Sequence, residues 1–216
     1  MSQWIFEESG PKTPAWNMEI DRQRLEDLEE GAKPFLRFYE WSVPSVTYGY
    51  FINPWEFFDS EGVEKHGLLL AKRPTGGGII FHNYDLAFAI IVPHTHLFYT
   101  LNSLESYARI NQIILSALNP RMVLDDSQIA TRGGFCMTKP TKYDLIMEGK
   151  KVGGAAQRKT KKGLLHQGSI CLKLPHKEWL QEVLKEGEEV FRKMEQTSFP
   201  LGSVDKEKIK EKLFNC

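Results

Sequence analysis

Apolar positions recur along the chain with two periods. Between Ser103 and Asn119, Tyr107, Ile110, Ile114, Ala117 and Leu118 fall at three- and four-residue spacing, which predicts an amphipathic helix over SLESYARINQIILSALN. A second helix is expected over PAWNMEIDRQRLEDLEEG, with Pro14 near its start, Gly31 past its end, and Met18, Leu25 and Leu28 on one face. NPWEFFDSEGVEKHG also reads as helical. Aromatic and β-branched runs predict strands over WIFEES, FLRFYEW and SVTYGYF, the last two separated by a turn at Pro44. LLLAKRP and DLAFAIIVP read as buried strands flanking a loop, TGGGIIFHNY. KYDLIMEGKKVGGAAQRKTKKGLLHQGSICLKL predicts strand, Glu-Gly turn, strand, basic turn, strand, and the tail from His176 predicts charged helix ending in DKEKIKEKLF. The helices do not alternate regularly with the strands, so the expected class is α+β with a mixed or antiparallel sheet rather than a doubly wound one. No repeat or low-complexity linker divides the 216 residues, so a single domain over residues 1–216, without a C-terminal accessory domain, is expected.

Composition narrows the function. Lysine plus arginine is 28 and aspartate plus glutamate is 28, a balance that excludes a general nucleic-acid binder. The longest apolar run, Leu86 to Val92, has strand length, so no membrane span is expected. MSQWIFEESG has no basic segment followed by an apolar run, so no secretory leader is expected. Three irregularly spaced cysteines, Cys136, Cys171 and Cys216, form neither a disulfide framework nor a zinc pattern, and a reducing cytoplasm is the expected setting. His94 and His96 alternate as metal ligands can, but no third ligand accompanies them, so they read as loop and no metal is expected.

Two small-residue frames carry the candidate chemistry. In RPTGGGIIFH, Gly76, Gly77 and Gly78 let a ligand lie against the main chain, and their exposed amides can hold a carbonyl or a phosphate. No Gly-Lys-Ser/Thr follows and the G-x-G-x-x-G spacing is missing, so this is neither a P-loop nor a dinucleotide fingerprint. The plain alternative is a glycine-rich turn. In GKKVGGAAQ, Gly153, Gly154, Ala155 and Ala156 leave room for something else beside a strand. Each frame has cations next to it, Arg73 in one case and Lys150 and Lys151 in the other. Together they suggest a narrow tunnel with a polar mouth, suited to an acyl chain with a reactive carbonyl.

RPTGGGIIFH together with YDLIMEGKKVGGAAQRKTKKGLLHQGSI resembles the lipoate–protein ligase and octanoyltransferase family, relatives of the biotin protein ligases. WIFEESGPKTPAWNMEIDRQRL, RFYEWSVPSVTYGYF and EKHGLLLAKRPTGG agree with the same pattern, so the resemblance spans roughly residues 4 to 175. It implies an α+β fold with a central mixed, mostly antiparallel sheet flanked by helices. It also implies attachment of an octanoyl or lipoyl group to a lysine of a carrier domain, as found in 2-oxoacid dehydrogenases and glycine cleavage proteins. The biotin branch's Gly-Arg-Gly-Arg loop is missing. The family's essential lysine falls on Lys151, able to stabilise an acyl oxyanion, with Lys150 on the opposite side of the strand. Arg73, Thr75, Gly76, Gly77, Gly78, His82, Gly153, Gly154, Ala155, His166 and Gly168 are implied to bind the acyl substrate; a satisfied structural histidine is the alternative at His82 and His166.

Two routes differ at Cys136. Cysteine-loop transferases carry C-F-x-x-P-S-x-Y-E-L, which Cys136, Pro140, Tyr143 and Leu145 match, with Asp144 in place of Glu. They take the octanoyl group from acyl carrier protein onto the cysteine, with no cofactor; a lysine within hydrogen-bond reach of the thiol would favour its thiolate. HNYDLAFA resembles the transferase spacing H-x-x-E-L-T-Y-S as well. The ligases instead use ATP and magnesium, and Gly78 resembles them, since the transferases often carry Arg there. A non-catalytic lipoyl-domain binder is a third class. Cys136 itself is either a nucleophile or a small buried hydrophobe, although Gly133, Gly134, Thr138, Lys139 and Pro140 around it are loop formers. Cys171 lies in an apparent strand and reads as core, and Cys216 as incidental. Arg158, Lys159, Lys161 and Lys162 form either a solvated hairpin tip or a docking patch for an acidic carrier domain. A monomer is expected.

Overall fold

The computed structural model describes residues 4–82, 84–126, 134–138 and 140–215. The chain opens with β1 (Ile5–Lys12) and α1 (Pro14–Glu26). Thr13 caps α1 by accepting from the Trp16 amide, with Pro14 in the first turn where its missing N–H costs nothing. α1 ends before Gly31, whose φ of +80° serves the following turn. β2 (Phe35–Trp41) and β3 (Ser45–Tyr48) follow. β3 stops short of the expected SVTYGYF because Gly49 meets the next glycine loop: a Cβ on Gly49 would stand 1.9 Å from the Gly77 carbonyl oxygen. The helix expected over NPWEFFDSEGVEKHG is broken. Pro54–Glu56 forms a 3-10 turn, and Asp59 then caps a separate α2 (Ser60–Lys65) by accepting from the Gly62 amide.

β4 (Leu69–Lys72), β5 (Ile79–Phe81) and β6 (Asp85–Pro93) come next. β5 lies inside the stretch expected to be loop. α3 (Leu97–Thr100) is a single turn capped by His96, where HTH was read as loop, and it leads to α4 (Ser103–Leu118). A short β7 (Val123–Leu124), a 3-10 turn over Cys136–Thr138, and β8 (Leu145–Met147), β9 (Lys150–Lys159) and β10 (Gly163–Cys171) follow. The charged tail forms α5 (Lys177–Val183), α6 (Gly187–Thr197) and α7 (Lys206–Phe214).

The strands form the expected central sheet, mixed and mostly antiparallel, and beside it a small second sheet that the sequence did not indicate. The larger has order β1-β2-β6-β10-β9-β8-β7, with β1 and β2 parallel and every other pair antiparallel. The smaller has order β4-β3-β5. One face of the large sheet buries Leu36, Phe88, Ile90 and Leu164 against Ile110 and Ile114 of α4 and Ile209 and Leu213 of α7. On the other face, α1 packs Met18 and Leu25 against Phe35, Ile91 and Leu165. A third cluster ties the small sheet (Val46, Ile79, Phe81) to α5 and α6 through Leu180, Val183 and Met194, and takes in Phe135 and Met137 around the cysteine turn. No helix among the described residues is long and apolar enough to cross a membrane.

Candidate active site

A cavity of about 630 Å³ opens where the small-residue stretch of β9 faces the glycine loop between β4 and β5. Gly77, Gly78 and Ile80 line one side, Gly154, Ala155 and Ala156 another, and Gln167 and Ser169 of β10 lie between them. Phe51, 92% exposed, stands at the rim. The small residues are sterically required. A Cβ on Gly78 would lie 2.0 Å from the Gly134 carbonyl oxygen, and Ile79 donates its amide to that same oxygen at 3.0 Å. The cysteine loop therefore lies directly against the glycine loop, and a side chain at position 78 has no room in this packing.

Cys136 begins its 3-10 turn with Sγ inside the cavity. The Gly78 amide donates to the sulfur at 3.1 Å. Arg73 lies alongside: its Nη2 and the sulfur are 3.1 and 3.8 Å from the point a Cβ on Gly77 would occupy, and Gly77, at φ +86°, leaves that point open. Arg73 is 3% exposed and donates to Thr47 Oγ1 at 2.9 Å and to the carbonyls of Gly76 and Gly78 at 3.0 and 2.7 Å. Burial pulls its pKa down, and the charge of Cys136 opposes that fall.

Lys151 approaches from the opposite strand. Its Nζ pairs with Asp144 Oδ2 at 2.7 Å and donates to the Cys136 carbonyl at 2.9 Å; both side chains are buried. A bulge places it there. Lys151 opposes Ile146 on β8 while Gly153 opposes Leu145, so Val152 is an extra residue in β9. The bulge turns Lys151 toward Gly154, where a Cβ would stand 2.6 Å from Asp144 Oδ1 and 3.1 Å from Lys151 Nζ. Asp144 also accepts from Tyr107 Oη at 2.6 Å and from the Thr141 amide and hydroxyl at 2.7 and 2.8 Å. The preceding Tyr143 holds φ at +68°, an unusual conformation fixed by bonds to Asp125 and Asn111. Lys150 points away and donates to the Glu195 carbonyl of α6.

Of the residues expected at the substrate, Cys136, Lys151, Arg73, Gly77, Gly78, Gly154 and Ala155 line one cavity. The rest stand behind it. Thr75 donates to Gln167 Oε1, and Gly76 offers its carbonyl to Arg73. His82 is buried, stacked on Trp41 and held between Asp85 Oδ2 (2.7 Å) and Thr47 Oγ1 (2.6 Å). Gly153 faces the β10 backbone rather than the cavity, and Gly168 is small because a Cβ would fall 2.1 Å from the Phe88 ring. Cys171 is a core residue, with burial and the Asp85 charge pushing its thiol up to about 12, and Cys216, Gly133 and Lys139 lie outside the described residues. Sequence reasoning assigned no role to Thr47, Tyr107 or Gln167. It also overlooked the segment after α6, where Ser198 and Thr197 donate their hydroxyls to the Met137 carbonyl and the Phe199 amide donates to the Lys151 carbonyl.

His166 is not among the residues lining the cavity, and its buried Nε2 has no hydrogen-bond partner among the described residues. It is fully buried, stacked on Phe88, with Nδ1 facing Gln157 Nε2 at 3.0 Å. Burial pushes its pKa down to about 3. The unfolded chain takes up this proton near pH 6.5 and the folded one does not, so its contribution to stability is complete above that pH. It is lost by about 1.4 kcal/mol per pH unit as pH falls toward the folded value. His166→Phe is expected to flatten the fall in urea midpoint between pH 6.5 and 4; an unchanged slope would remove His166 from acid unfolding.

Comparison with known proteins places this geometry. The model of the lipoyl protein ligase A/B catalytic domain matches residues 13–206. Octanoyltransferase LipM of Anoxybacillus flavithermus is 35% identical over 183 residues, 79% of this chain and 66% of the relative. The Bacillus subtilis protein of the same name is 31% identical over 204 residues, 89% of this chain and 73% of the relative. The chain thus spans about two thirds of the length of these curated relatives. Among solved structures, a lipoate protein ligase from T. acidophilum with bound lipoic acid superposes with a TM-score of 0.72 at 23% identity, covering 98% of this chain and 81% of that one. Lipoate-protein ligase A bound with ATP gives 0.72 at 21% identity, covering 98% and 82%. The fold, the family model and these relatives agree: the chain belongs to the lipoyl protein ligase A/B catalytic domain family.

Proposed function

We propose that the chain is an acyltransferase that moves an octanoyl group from the thioester of acyl carrier protein to a lysine of a lipoyl carrier domain, through an acyl-Cys136 intermediate. One observation carries this reading: Cys136 lines an apolar-walled cavity of small-molecule size, its sulfur beside the Gly78 amide and Arg73, its backbone carbonyl bonded by Lys151. The relatives named octanoyltransferase support it. So does the kinship in fold with an archaeal ligase solved as a system with its E2 lipoyl domain, for the nature of the acceptor.

The thiolate attacks the thioester carbonyl, a C–S bond forms, and negative charge develops on oxygen. Lys151, held by Asp144 next to the Cys136 carbonyl, supplies the stabilising cation. Collapse expels the carrier's thiolate, which takes up a proton. The acceptor lysine, as a neutral amine, then attacks the acyl-cysteine; a C–N bond forms, the C–S bond breaks, the thiolate of Cys136 returns, and the amine's proton passes to solvent. This route uses no nucleotide and no metal, acts as a monomer, and keeps its thiol reduced in the cytoplasm.

Incubation with octanoyl-acyl carrier protein, followed by intact mass and peptide mapping, tests it. The expected result is one octanoyl group on the peptide containing Cys136, discharged when a lipoyl domain is added. Absence of the adduct, with modification of the lipoyl domain only when ATP and free lipoate are present, would establish the ligase route instead. Lipoyl-domain binding without either reaction would make the chain a non-catalytic binder.

A further inference from the structure

Beyond Trp16, Tyr84 and Phe214, the exposed aromatic side chains among the described residues all stand on one loop, between β3 and α2: Tyr50, Phe51 and Trp55. That loop is pinned from behind. Gly49 donates to the Gly78 carbonyl and Tyr50 to the Thr75 carbonyl, both at 3.1 Å, and Ile52 closes a tight turn by donating to the Gly49 carbonyl at 3.0 Å. Tyr50 and Phe51 occupy the tip of the turn, their rings edge to face with centroids 5.2 Å apart. Ile52 turns inward and packs on the cluster of the small sheet. Asn53 then caps the 3-10 turn that carries Trp55. Backbone bonds thus hold the rings out in water, although burying an aromatic side chain is favourable. Aromatic surface clustered and exposed in this way marks a contact with another macromolecule.

Charge and reach identify the partner. The cavity opens beside this turn, since Phe51 and Ile52 line it. Lys72 lies over the Tyr50 ring, its Nζ 5.2 Å from the centroid, and Lys185 donates to the Trp55 carbonyl at 2.7 Å. Both lysines are exposed, and each touches a neutral group there, so its charge remains available to a partner. Within GYFINPWEF the single carboxylate is Glu56. An aromatic rim with cations beside it, on a chain of zero formal charge, complements an acidic protein surface. The acceptor lysine must bring its amine into the cavity, and a lysine side chain extends only about 6 Å from its Cα, five bonds of roughly 1.5 Å in zigzag. Its domain therefore has to sit on the rim itself. The donor thioester arrives on a longer flexible arm, so its carrier protein can stand off.

We propose that the Tyr50–Phe51 turn, with Trp55, Lys72 and Lys185 beside it, is the docking surface for the lipoyl carrier domain, which places an acidic face on it while its target lysine enters the cavity. The Tyr50 and Phe51 rings are the anchors of that contact, and the two lysines form its charged rim. Because backbone bonds already order the turn, docking costs little conformational entropy on this side. This rests on a lipoyl domain being the acceptor, as proposed above.

The test is a titration of isotopically labelled, unmodified lipoyl domain with the protein, followed by NMR chemical shifts, which needs no acyl donor and no turnover. The wild type is expected to shift resonances around the target lysine and at neighbouring acidic residues. Tyr50→Ser combined with Phe51→Ser is expected to raise Kd about tenfold or more, the scale of losing aromatic anchors. Lys72→Glu is expected to raise it about tenfold at low salt, with the difference closing near 1 M salt, where charges are screened beyond about 3 Å. Phe214→Ser, which removes an exposed ring on α7, should leave Kd unchanged. Thermal melting should match wild type in each; if the double variant does not fold, Lys72→Glu decides. An unchanged Kd in the deciding variant would overturn the assignment, as would a wild type that shifts no resonance of the lipoyl domain. Two other outcomes overturn it by naming a different occupant while lipoyl-domain binding stays intact. In one, the variants weaken binding of octanoyl-acyl carrier protein; in the other, the wild type sediments as a dimer that the variants dissociate. If docking depends on the turn but octanoyl-acyl carrier protein leaves no adduct on Cys136, the transferase reading fails and the docking surface stands.

Discussion

Cys136→Ser is expected to lower octanoyl transfer to a lipoyl domain by about a thousandfold or more, the scale seen when a nucleophile is deleted from a site whose other parts remain. Serine fits where cysteine does, so the fold is not the cause. The Lys151 bond to residue 136 uses its backbone carbonyl, and the Gly134–Ile79 bond that seats the loop is also backbone. What is lost is the sulfur, a better nucleophile and a better leaving group than a serine oxygen. The measurement is the rate of appearance of octanoylated lipoyl domain by mass, alongside thermal melting of the variant. Melting should match wild type while the rate collapses. Cys171→Ser is the control, because that thiol packs with Val46 and Leu180 away from the cavity and its rate should be unchanged. A Cys136→Ser protein that modifies the lipoyl domain at the wild-type rate with ATP and lipoate would show that the sulfur is incidental.

The polar residues explain which parts of the structure could be read from sequence. α4 and β6 were legible because their apolar positions face a single core, as Ile110, Ile114, Phe88 and Ile90 do. α1 extends less far than its pattern suggested, and it buries Asn17 and Asp21 for Arg37 and Gln167, a polar contact that hydrophobic periodicity cannot show. β5 was read as loop because its three residues follow three glycines, and only pairing with β3 and the cysteine loop makes it a strand. In the site, Lys151 and the small residues after it were legible as a motif. The bulge at Val152, which sends Gly153 to the β10 backbone and Gly154 to the cavity, was not, because strand alternation cannot count an inserted residue. His82 was legible as a neighbour of the site but its task was not, since Thr47 and Asp85 lie on other strands.

Lys151→Met is the second large effect, and it has two parts that a second substitution separates. Loss of the cation removes the charge that meets the developing oxyanion, which is expected to cost about 10²–10³-fold in transfer rate. It also strands Asp144, 1% exposed, in the protein interior. Removing one partner of a buried ion pair destabilises by about 3–5 kcal/mol, because the remaining charge is uncompensated. Asp144→Asn in the same protein relieves that second cost. The new amide can donate to the Tyr107 hydroxyl, which already accepts from the Ala155 amide, while its carbonyl keeps the bonds from Thr141. Urea unfolding of Lys151→Met, Asp144→Asn and the double variant should show the double variant recovering most of the stability lost in Lys151→Met. Transfer should stay at the level of Lys151→Met, because a neutral methionine offers the oxyanion nothing. If stability and transfer recover together in the double variant, Lys151 acts only by packing and balancing Asp144. If transfer alone stays low, the ammonium group acts on the acyl carbonyl itself.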